Sequence, residues 1–598
     1  MPWTQVTDPL GSLGLSALLA AVPIIYLFWA LAYKRMKGHW AASSAVAIAL
    51  VIAVVGYGMP AKYAVLSTLY GSLFGLWPVS WIIITALFIY NLSVKTGQFE
   101  VIKNSLAAIS DDRRMQALLI AFSFGSFIEG AAGFGTPVAI TAAMLVGLGF
   151  NPLYAAGVCL VANTAPVAFG AIGIPIIVGA KVSGVDEMAL SQMVGRTLPF
   201  LSVLIPIYLT ILMAGWKKGI EVWPACLVSG LSFAVVQFLS SNYLGPMLPD
   251  ILASIASIVC LTVFLRIWHP KVSWTFDHEA AATGREKLRY SGGQVFRAWA
   301  PFIILSIFVA AWGVKPIKAA LDFYGLVKFQ IPELHNMIIR GGKPMEAIYS
   351  FTMLSAAGTA ILFAGIFSIP VMGASTKTAV SVARETLGKL KFPVLTIATI
   401  LGFAYIMNFS GMAITLGNAF ASTGPLFPFF AAFLGWLGVF MTGSDTSSNA
   451  LFGKLQAVTA DKIGIDPVIT VGANSSGGVC GKMISPQSLS VATAAVGLVG
   501  HESDIFRFTL KHSIILTAVI GVMAYLQAYV ITWIVPVYTK AAAVAAPAVA
   551  AAGALKPAVP AVPAFPAEGV AYLAITAAAV ILVAIFAKVT GRERVAVN

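Results

Sequence analysis

The chain has 598 residues, of which 59% are hydrophobic and only 10% are charged, with a formal net charge of +14. Soluble domains contain about 25% charged residues, so a chain this long and this apolar excludes a single soluble core. Apolar runs of roughly the 20 residues that cross a bilayer recur along it and predict an all-α polytopic membrane protein. The positive charge does not indicate nucleic-acid binding, because the basic residues lie in short loops between apolar runs.

In chain order, the pattern predicts six segments. They are an N-terminal transmembrane pair (1–60), a first repeat (61–215), linking scaffold helices and loops (216–392), a second repeat (393–540), an Ala/Pro-rich linker (541–568) and an accessory C-terminal transmembrane helix (569–598). The linker composition favours a semi-rigid, polyproline-like spacer.

The basic loops predict the orientation. Lys34, Arg35 and Lys37 follow the first span, which favours a cytoplasmic position for that loop and an N-terminus outside. Most later basic loops and the C-terminus fall on the cytoplasmic side only if segments 116–150 and 426–461 each return to the side from which they entered. The sequence therefore predicts about 13 crossings plus two re-entrant helical hairpins, with a basic loop at 313–347 as an exception outside.

The first predicted hairpin, 116–150, has two apolar arms around the tip Glu129-Gly-Ala-Ala-Gly-Phe-Gly-Thr-Pro137. Each arm has about 12 residues, or ~18 Å of helix, which is too short to span a bilayer. Glycines loosen the tip, and Pro137 suits the first turn of the second arm. Backbone at this depth must be buried or line a cavity, so the free N–H groups of the second arm suit a carboxylate ligand.

The second predicted hairpin, 426–461, has the more polar tip Thr442-Gly-Ser-Asp-Thr-Ser-Ser-Asn449. Asp445 and Glu129 are thus carboxyl groups at membrane depth, where such groups are costly and are candidates for function. The first hairpin enters from the inside and the second from the outside. The two halves therefore form an inverted repeat, which is typical of secondary transporters.

Each hairpin precedes a broken helix that supplies amides, hydroxyls and unpaired backbone groups. Asn163 and Thr164 lie in the first break, and Asn474, Ser475 and Lys482 lie in the second. Lys482 is a candidate to meet a substrate carboxylate or to neutralise Asp445, with snorkelling to the interface as the alternative. For the hairpins, the alternative to a functional role is structural: the glycines would serve close helix packing, and Glu129 would only make a structural pair. The cysteines show no metal-ligand spacing, and the sequence predicts no metal and no cofactor.

Four motifs resemble the L-lactate permease family, and the resemblance covers about residues 10–538. They are Glu129-Gly-Ala-Ala-Gly-Phe-Gly-Thr-Pro-Val-Ala-Ile140, Asn163-Thr-Ala-Pro-Val-Ala-Phe-Gly170, Thr442-Gly-Ser-Asp-Thr-Ser-Ser-Asn-Ala-Leu-Phe452 and Gly481-Lys-Met-Ile-Ser-Pro-Gln-Ser488. The resemblance implies import of L-lactate, glycolate and related 2-hydroxymonocarboxylates by proton symport at the bacterial inner membrane. It also implies an ion-transporter fold with inverted repeats. The chain departs from the family pattern at Thr136, where many members have Ala, and in its linker and last span.

The resemblance implies roles for the candidate residues. The substrate carboxylate is expected at the tips and at Lys482, the 2-hydroxyl at the two breaks, the methyl against Phe134, and the coupled proton on Glu129 or Asp445. The residues expected to contact the substrate are Gly133, Phe134, Gly135, Thr136, Asn163, Thr164, Ser444, Thr446, Asn474, Ser475 and Lys482. A proton beside a bound anion removes like-charge repulsion, which would couple the two.

Several alternatives stay open at this stage. A different organic anion or sodium coupling would fit the same residue chemistry. An intramembrane aspartyl protease is disfavoured, because Ser444 stands where its Gly-x-Gly-Asp motif has glycine and no Tyr-Asp partner occurs. A lactate receptor is disfavoured because the chain shows no soluble signalling domain. The expected partners are therefore a small monocarboxylate anion, a proton and the lipid bilayer, with the oligomeric state left open.

Overall fold

A computed structural model describes residues 2–34, 36–133, 136–276, 290–498, 501–538 and 567–590. Helices dominate these residues, as expected where no water is available to satisfy backbone groups. The helices are α1 (Leu13–Phe28), α2 (Gly38–Val51), α3 (Ala61–Phe74), α4 (Trp81–Lys95), α5 (Gln98–Ala107), α6 (Arg113–Gln116), α7 (Gly125–Ala131), α8 (Thr136–Gly147), α9 (Pro152–Ala162), α10 (Gly170–Ser183), α11 (Glu187–Val194), α12 (Leu198–Ile220), α13 (Trp223–Tyr243), α14 (Pro249–Ile267), α15 (Gly292–Gly313), α16 (Lys315–Gly325), α17 (Ala357–Val371), α18 (Thr376–Ser410), α19 (Met412–Phe420), α20 (Phe427–Thr442), α21 (Asp445–Ile463), α22 (Pro467–Lys482), α23 (Pro486–Val496), α24 (Glu502–Tyr529) and α25 (Ala567–Thr590). The predicted linker 541–568 lies almost wholly outside the described residues.

By length and composition, 11 helical segments of the described chain could cross a membrane, or 12 if the pair α9–α10, bent by 65°, counts as one span. The all-α polytopic fold is confirmed, whereas the number of 13 crossings plus two re-entrant hairpins is not. Two elements that the prediction of 13 crossings requires are not among the 11 or 12 candidate spans. Helix α17 has only 15 residues, and the pair α22–α23 carries polar side chains that lower its hydropathy.

A small β-structure occupies part of the basic loop 313–347 and its flanks. Strand β1 (Trp3–Thr4) pairs in parallel with β3 (Ile338–Arg340), β3 pairs antiparallel with β4 (Lys343–Pro344), and β2 (Leu326–Gln330) pairs antiparallel with β5 (Ile348–Thr352). Basic groups of this loop make structural contacts.

Arg340 illustrates those contacts. Its Nη2 donates to Asn408 Oδ1 at 2.7 Å and its Nε donates to Gln5 Oε1 at 3.0 Å. Burial lowers the pKa of this guanidinium to about 10, so it remains charged at neutral pH. The cation therefore holds the N-terminal segment against the end of α18.

The chain doubles back in two helical hairpins. Hairpin 1 (113–147) runs through α6, a π-helical stretch Ala117–Phe124 and α7, and returns along α8. Gly125 of its first arm faces Thr141 of its second arm. This first arm is longer than the arm of about 12 residues that the sequence predicts, because the helix continues upstream to Arg113.

Hairpin 2 (427–463) consists of α20 and α21, which pack along each other. Ser448 Oγ donates to the Gly435 carbonyl at 3.0 Å, and Gln456 Nε2 donates to the Ala431 carbonyl at 3.0 Å. The later residue in one arm thus faces the earlier residue in the other, so the arms are antiparallel. Side-chain hydrogen bonds across the arms compensate for the polar groups buried here.

A broken helix follows each hairpin. Helices α9 and α22 both begin with proline after a polar cap, and the side chains of Asn151 and Asp466 accept hydrogen bonds from Leu153 and Val468, respectively. Helix α9 ends at Ala162 and is continued by α10, whereas α22 ends at Lys482 and is continued by α23. The two halves therefore share the order hairpin, capped helix, break and second helix.

The base of hairpin 1 is held by a buried ion pair. Arg114 is 1% exposed and its Nη2 donates to Asp112 Oδ2 at 2.7 Å. The guanidinium also donates to the carbonyl oxygens of Lys218 at 2.6 Å and Val272 at 3.0 Å. These contacts tie the hairpin to the end of α12 and to the segment that follows α14.

The interface between α20 and α22 depends on glycine. Cβ atoms added at Gly435, Gly477 and Gly481 would all meet backbone atoms of the other helix, and at Gly477 the added atom would lie 2.6 Å from Ala432 Cα. Such close approach allows strong van der Waals packing in a membrane, where the hydrophobic effect does not drive helix association. It also keeps the polar face of α22 directly behind hairpin 2.

We predict that Gly477→Ala lowers thermal stability in detergent, because the added methyl overpacks the interface by about 1–3 kcal/mol. Gly388→Ala is the matched control, since an added Cβ at Gly388 in α18 meets nothing within 4 Å. That control should leave the melting temperature unchanged or raise it, because alanine favours helix more than glycine does. Equal effects of the two substitutions would contradict the role given to the interface.

Candidate functional site

A cavity of about 850 Å³ lies between the tips of the two hairpins and the broken helices. Glu129 and Asp445, each 3% exposed, and Lys482, 6% exposed, line its inner part. Exposed residues such as Phe392 and Ser490 line its mouth. The cavity therefore connects a buried group of charges with the surface of the protein.

The first charged group joins the two halves of the chain. Lys482 Nζ donates to Glu129 Oε1 at 2.6 Å, and Asn163 Nδ2 donates to Glu129 Oε2 at 3.1 Å. A Cβ added at Gly170 would lie 2.6 Å from Glu129 Oε1, so the backbone of the first broken helix closely approaches the carboxylate. Lys482 thus pairs with Glu129 of the other half, rather than pairing directly with Asp445.

The second carboxyl group is held by its own half. Asp445 Oδ2 accepts from Ser475 Oγ at 2.7 Å and from Asn449 Nδ2 at 3.3 Å. A Cβ added at Gly478 would collide with Asp445 Oδ1, an atom without a hydrogen-bond partner among the described residues. In each half, a tip carboxyl group therefore accepts a hydrogen bond from the following broken helix and packs against one of its glycines.

An amide network fixes the position of Asp445. Gln456 Nε2 donates to Asn474 Oδ1 at 3.0 Å, and Asn474 Nδ2 donates to Asn449 Oδ1 at 2.8 Å. Asn449 Nδ2 also donates to the carbonyl of Pro175 in α10 at 3.1 Å. The three amide side chains are buried, so the network links hairpin 2 to both broken helices.

The start of α21 faces the cavity. Ser444 caps this helix by accepting from Ser447 N at 3.2 Å. Asp445 and Thr446 occupy the first two helical positions, where backbone N–H groups have no partner inside the helix, and both line the cavity. The positive end of the helix dipole and these N–H groups create a local preference for an anion.

The first break contains unusual backbone. Ala171 and Ile172 have φ of 46° and 58°, the left-handed region that β-branched residues rarely adopt. Gly133 also has a positive φ of 61°, and a Cβ added there would lie 2.9 Å from Ala171 Cβ. Ala171 lines the cavity, so this strained backbone lies at the site, where such conformations concentrate.

The residues expected to contact substrate separate into three groups. Gly133, Ser444, Thr446 and Lys482 line the cavity, together with Glu129 and Asp445. The second group does not line the cavity: Asn163, Thr164, Asn474 and Ser475 are buried, and Thr136 is half-buried. Phe134 and Gly135 lie outside the described residues. Direct contact of each residue with a substrate stays a prediction.

Sequence reasoning missed one acid at the site. Asp250 is 1% exposed, and a Cβ added at Gly130 would lie 2.7 Å from Asp250 Cβ. The pair Pro249-Asp250 begins α14, and proline followed by an acidic residue is an ordinary helix start. The sequence therefore gave no reason to place this carboxyl group beside Glu129.

A polytopic helical protein with hairpins, broken helices and a buried charged centre at the end of a cavity has the architecture of a membrane transporter. The family model for L-lactate permease matches residues 16–531. The chain belongs to the L-lactate permease family, and it is a transporter rather than an enzyme.

Two relatives show the extent of the match. The L-lactate permease of Bacillus subtilis (strain 168) is 54% identical over 563 residues, which cover 90% of this chain and 100% of the relative. The glycolate permease GlcA of Escherichia coli (strain K12) is 52% identical over 552 residues, which cover 89% and 99%, respectively. Among solved structures, Neisseria gonorrhoeae MtrF is similar at a TM-score of 0.43 and 14% identity, over 77% of this chain and 83% of that one.

We predict that Lys482→Met destabilises the protein, because it leaves the Glu129 carboxylate buried without its cation at a cost of about 3–5 kcal/mol. The double variant Lys482→Met/Glu129→Gln should recover much of this loss, since no charge of the pair remains. Thermal unfolding of the single and double variants in detergent measures the coupling. Additive destabilisation would show that the two side chains do not act as a pair.

Proposed function

We propose that the protein is a secondary transporter that imports L-lactate, glycolate and related 2-hydroxymonocarboxylates together with protons. Its relatives named L-lactate permease and glycolate permease match it over nearly their whole length. The observation that carries the proposal is the cavity that ends at Lys482 and the start of α21. A small carboxylate would find both a buried cation and free backbone N–H groups there.

The carboxylate of the substrate competes with Glu129 for Lys482. In the present structure Lys482 is paired with Glu129 at 2.6 Å, so an incoming anion must share or replace that contact. The N–H groups of Asp445 and Thr446 supply a second attachment point in the cavity wall. Binding of the anion between the halves would thus depend on groups from both hairpins.

The 2-hydroxyl group distinguishes these substrates from simple carboxylates. Asn163 Oδ1 and Thr164 Oγ1 are buried and have no hydrogen-bond partner among the described residues. Asn474 and Ser475 already hydrogen-bond to other side chains. We therefore favour the first break as the hydroxyl site, since a substrate hydroxyl would satisfy groups that otherwise carry a desolvation cost.

In this proposal, a carboxyl group at the site carries the coupled proton. Glu129 and Asp445 both line the cavity and face a single ammonium group, Lys482. A bound carboxylate adds a further negative charge in a region of low dielectric constant. Protonation of one acid removes the repulsion, so anion and proton would bind together.

We predict that proteoliposomes containing the protein accumulate labelled L-lactate when a pH gradient, acidic outside, is imposed. The variant Glu129→Gln should lose this accumulation, because it removes a titratable group from the site. Uptake driven by a sodium gradient and not by a pH gradient would contradict proton coupling.

A competition panel of 2-hydroxy acids, with propionate as the control without a hydroxyl group, measures the contribution of the hydroxyl site.

The proposed orientation is a multi-pass protein of the bacterial inner membrane with the N-terminus outside and the C-terminus in the cytoplasm. The cavity mouth includes His39 and Phe392, which lie next to the basic segments assigned to the cytoplasmic side. The structure would then correspond to an inward-facing state.

We predict that a cysteine at Ser490, on the cavity mouth, reacts with a membrane-impermeant maleimide in inside-out vesicles and not in right-side-out vesicles. A cysteine at Lys328, on β2, is the matched control and should show the opposite pattern. Both are introduced after replacement of the exposed native Cys260 by serine. The reverse labelling pattern would place the N-terminus in the cytoplasm.

A further inference from the structure

Asp250 is a buried acid that the local sequence does not single out. Both carboxyl oxygens are buried and have no hydrogen-bond partner in the described part of the chain. By contrast, Glu129 has an ammonium and an amide as partners, and Asp445 has a hydroxyl and an amide. An isolated carboxylate without partners is the most costly of these three arrangements, whereas a protonated carboxyl group has no net charge to desolvate.

The surroundings of Asp250 contain few other charges. Its carboxyl group interacts electrostatically with Glu129 and Lys482. Helix α13 and the stretch Ala117–Phe124, which pack against α14, contain no acidic, basic or histidine residue. Of the other titratable groups of α13, Cys226 faces Thr210 and Tyr243 is 74% exposed. The charge state of Asp250 is therefore linked to the Lys482–Glu129 pair.

Asp250 also occupies a defined position relative to the cavity. Glu129 lines the cavity, but Asp250 does not, and it packs against Gly130, the residue that follows Glu129. Six residues upstream, Leu244 is exposed at the α13–α14 connection. Asp250 thus lies between that connection and the tip of hairpin 1, separated from the cavity by the tip.

We propose that Asp250 holds the coupled proton and that Glu129 relays this proton between Asp250 and the cavity. This inference rests on the proposed function. The substrate anion binds while Asp250 is neutral, because an ionised Asp250 would add a negative charge close to Lys482 and weaken its attraction for the carboxylate.

After the anion leaves, the proton moves in two balanced steps. The carboxyl group of Asp250 gives its proton to the carboxylate of Glu129, which leaves Asp250 ionised and Glu129 neutral. Glu129 then gives the proton to water in the cavity and pairs again with Lys482. Protonation of Asp250 from the other side of the membrane restores the starting state.

The test uses Asp250→Asn in proteoliposomes with labelled L-lactate. Asparagine mimics the neutral acid and cannot release a proton, so accumulation driven by a pH gradient should be lost. Exchange against unlabelled internal lactate should persist within about twofold, because it needs no release of the proton. Net uptake should also change from electroneutral to sensitive to the membrane potential, because only the anion then moves.

Two variants serve as controls. Asp250→Glu keeps a titratable group and should retain some pH-driven accumulation, while Glu100→Gln removes an exposed acid on α5 and should behave as the wild type. Wild-type protein that accumulates no lactate in a pH gradient would overturn the proposed function itself. Wild-type accumulation together with unchanged accumulation by Asp250→Asn would overturn only the role of Asp250.

If Asp250→Asn loses exchange as well, lactate binding in detergent decides the question. As the pH rises and the proton required for binding is lost, the affinity of the wild type for lactate should fall by up to about tenfold per pH unit. If the affinity of the Asp250→Asn variant does not change with pH, the result supports the proposal. An unchanged pH dependence, or complete loss of binding, overturns it.

Discussion

The contact between Lys482 and Glu129 is the interaction on which the site depends. It joins residues more than 350 positions apart, one from each half of the chain, at 2.6 Å in a buried location. Neither charge is stable there alone, since an uncompensated ion in a region of low dielectric constant carries a large desolvation penalty. Formation of the pair therefore requires that hairpin 1 and the second broken helix meet at the same depth.

The remaining features support this meeting point. Gly170 allows backbone to approach Glu129, and Gly478 allows α22 to approach Asp445. The close α20–α22 packing keeps the polar face of α22 buried, and the Gln456–Asn474–Asn449 network satisfies amides that lipid would not. Glycines and amide side chains thus have complementary functions. The glycines allow the helices to approach closely, and the amides form hydrogen bonds with the polar groups that are buried as a result.

Much of this arrangement was predictable from local sequence. Glycine, proline and polar clusters within apolar runs mark backbone that cannot lie in lipid, and they predicted helix breaks near Glu129–Pro137 and Thr442–Asn449. In the structure, one helix ends at Ala131 and another at Thr442. The all-α polytopic class followed from hydropathy alone. The predicted arm length was wrong for the first arm of hairpin 1, because the helix begins upstream at Arg113, after the cap Asp112, and continues to Ala131.

Long-range partners were not predictable in the same way. Lys482 was expected to meet Asp445 or a substrate, yet its partner is Glu129, and only the packing of the two halves determines that choice. Asp250 escaped notice because its local sequence is that of an ordinary helix start, while its position beside Gly130 depends on the packing of distant elements. A buried group without a hydrogen-bond partner has no characteristic sequence motif, because a sequence shows which polar groups are present but not which of them remain unpaired in the fold.

The proposed cotransport of an anion with a proton depends on the charge balance of the buried site. The inner cavity already contains a neutral pair, Lys482 with Glu129, so an added anion needs either a second cation or the loss of a negative charge. Within the described residues the cavity wall offers no other lysine or arginine. Under the proposed function, protonation of one acid would supply this loss of negative charge. Coupling between anion and proton would then follow from charge balance in a buried site, without a dedicated mechanical link between the two binding events.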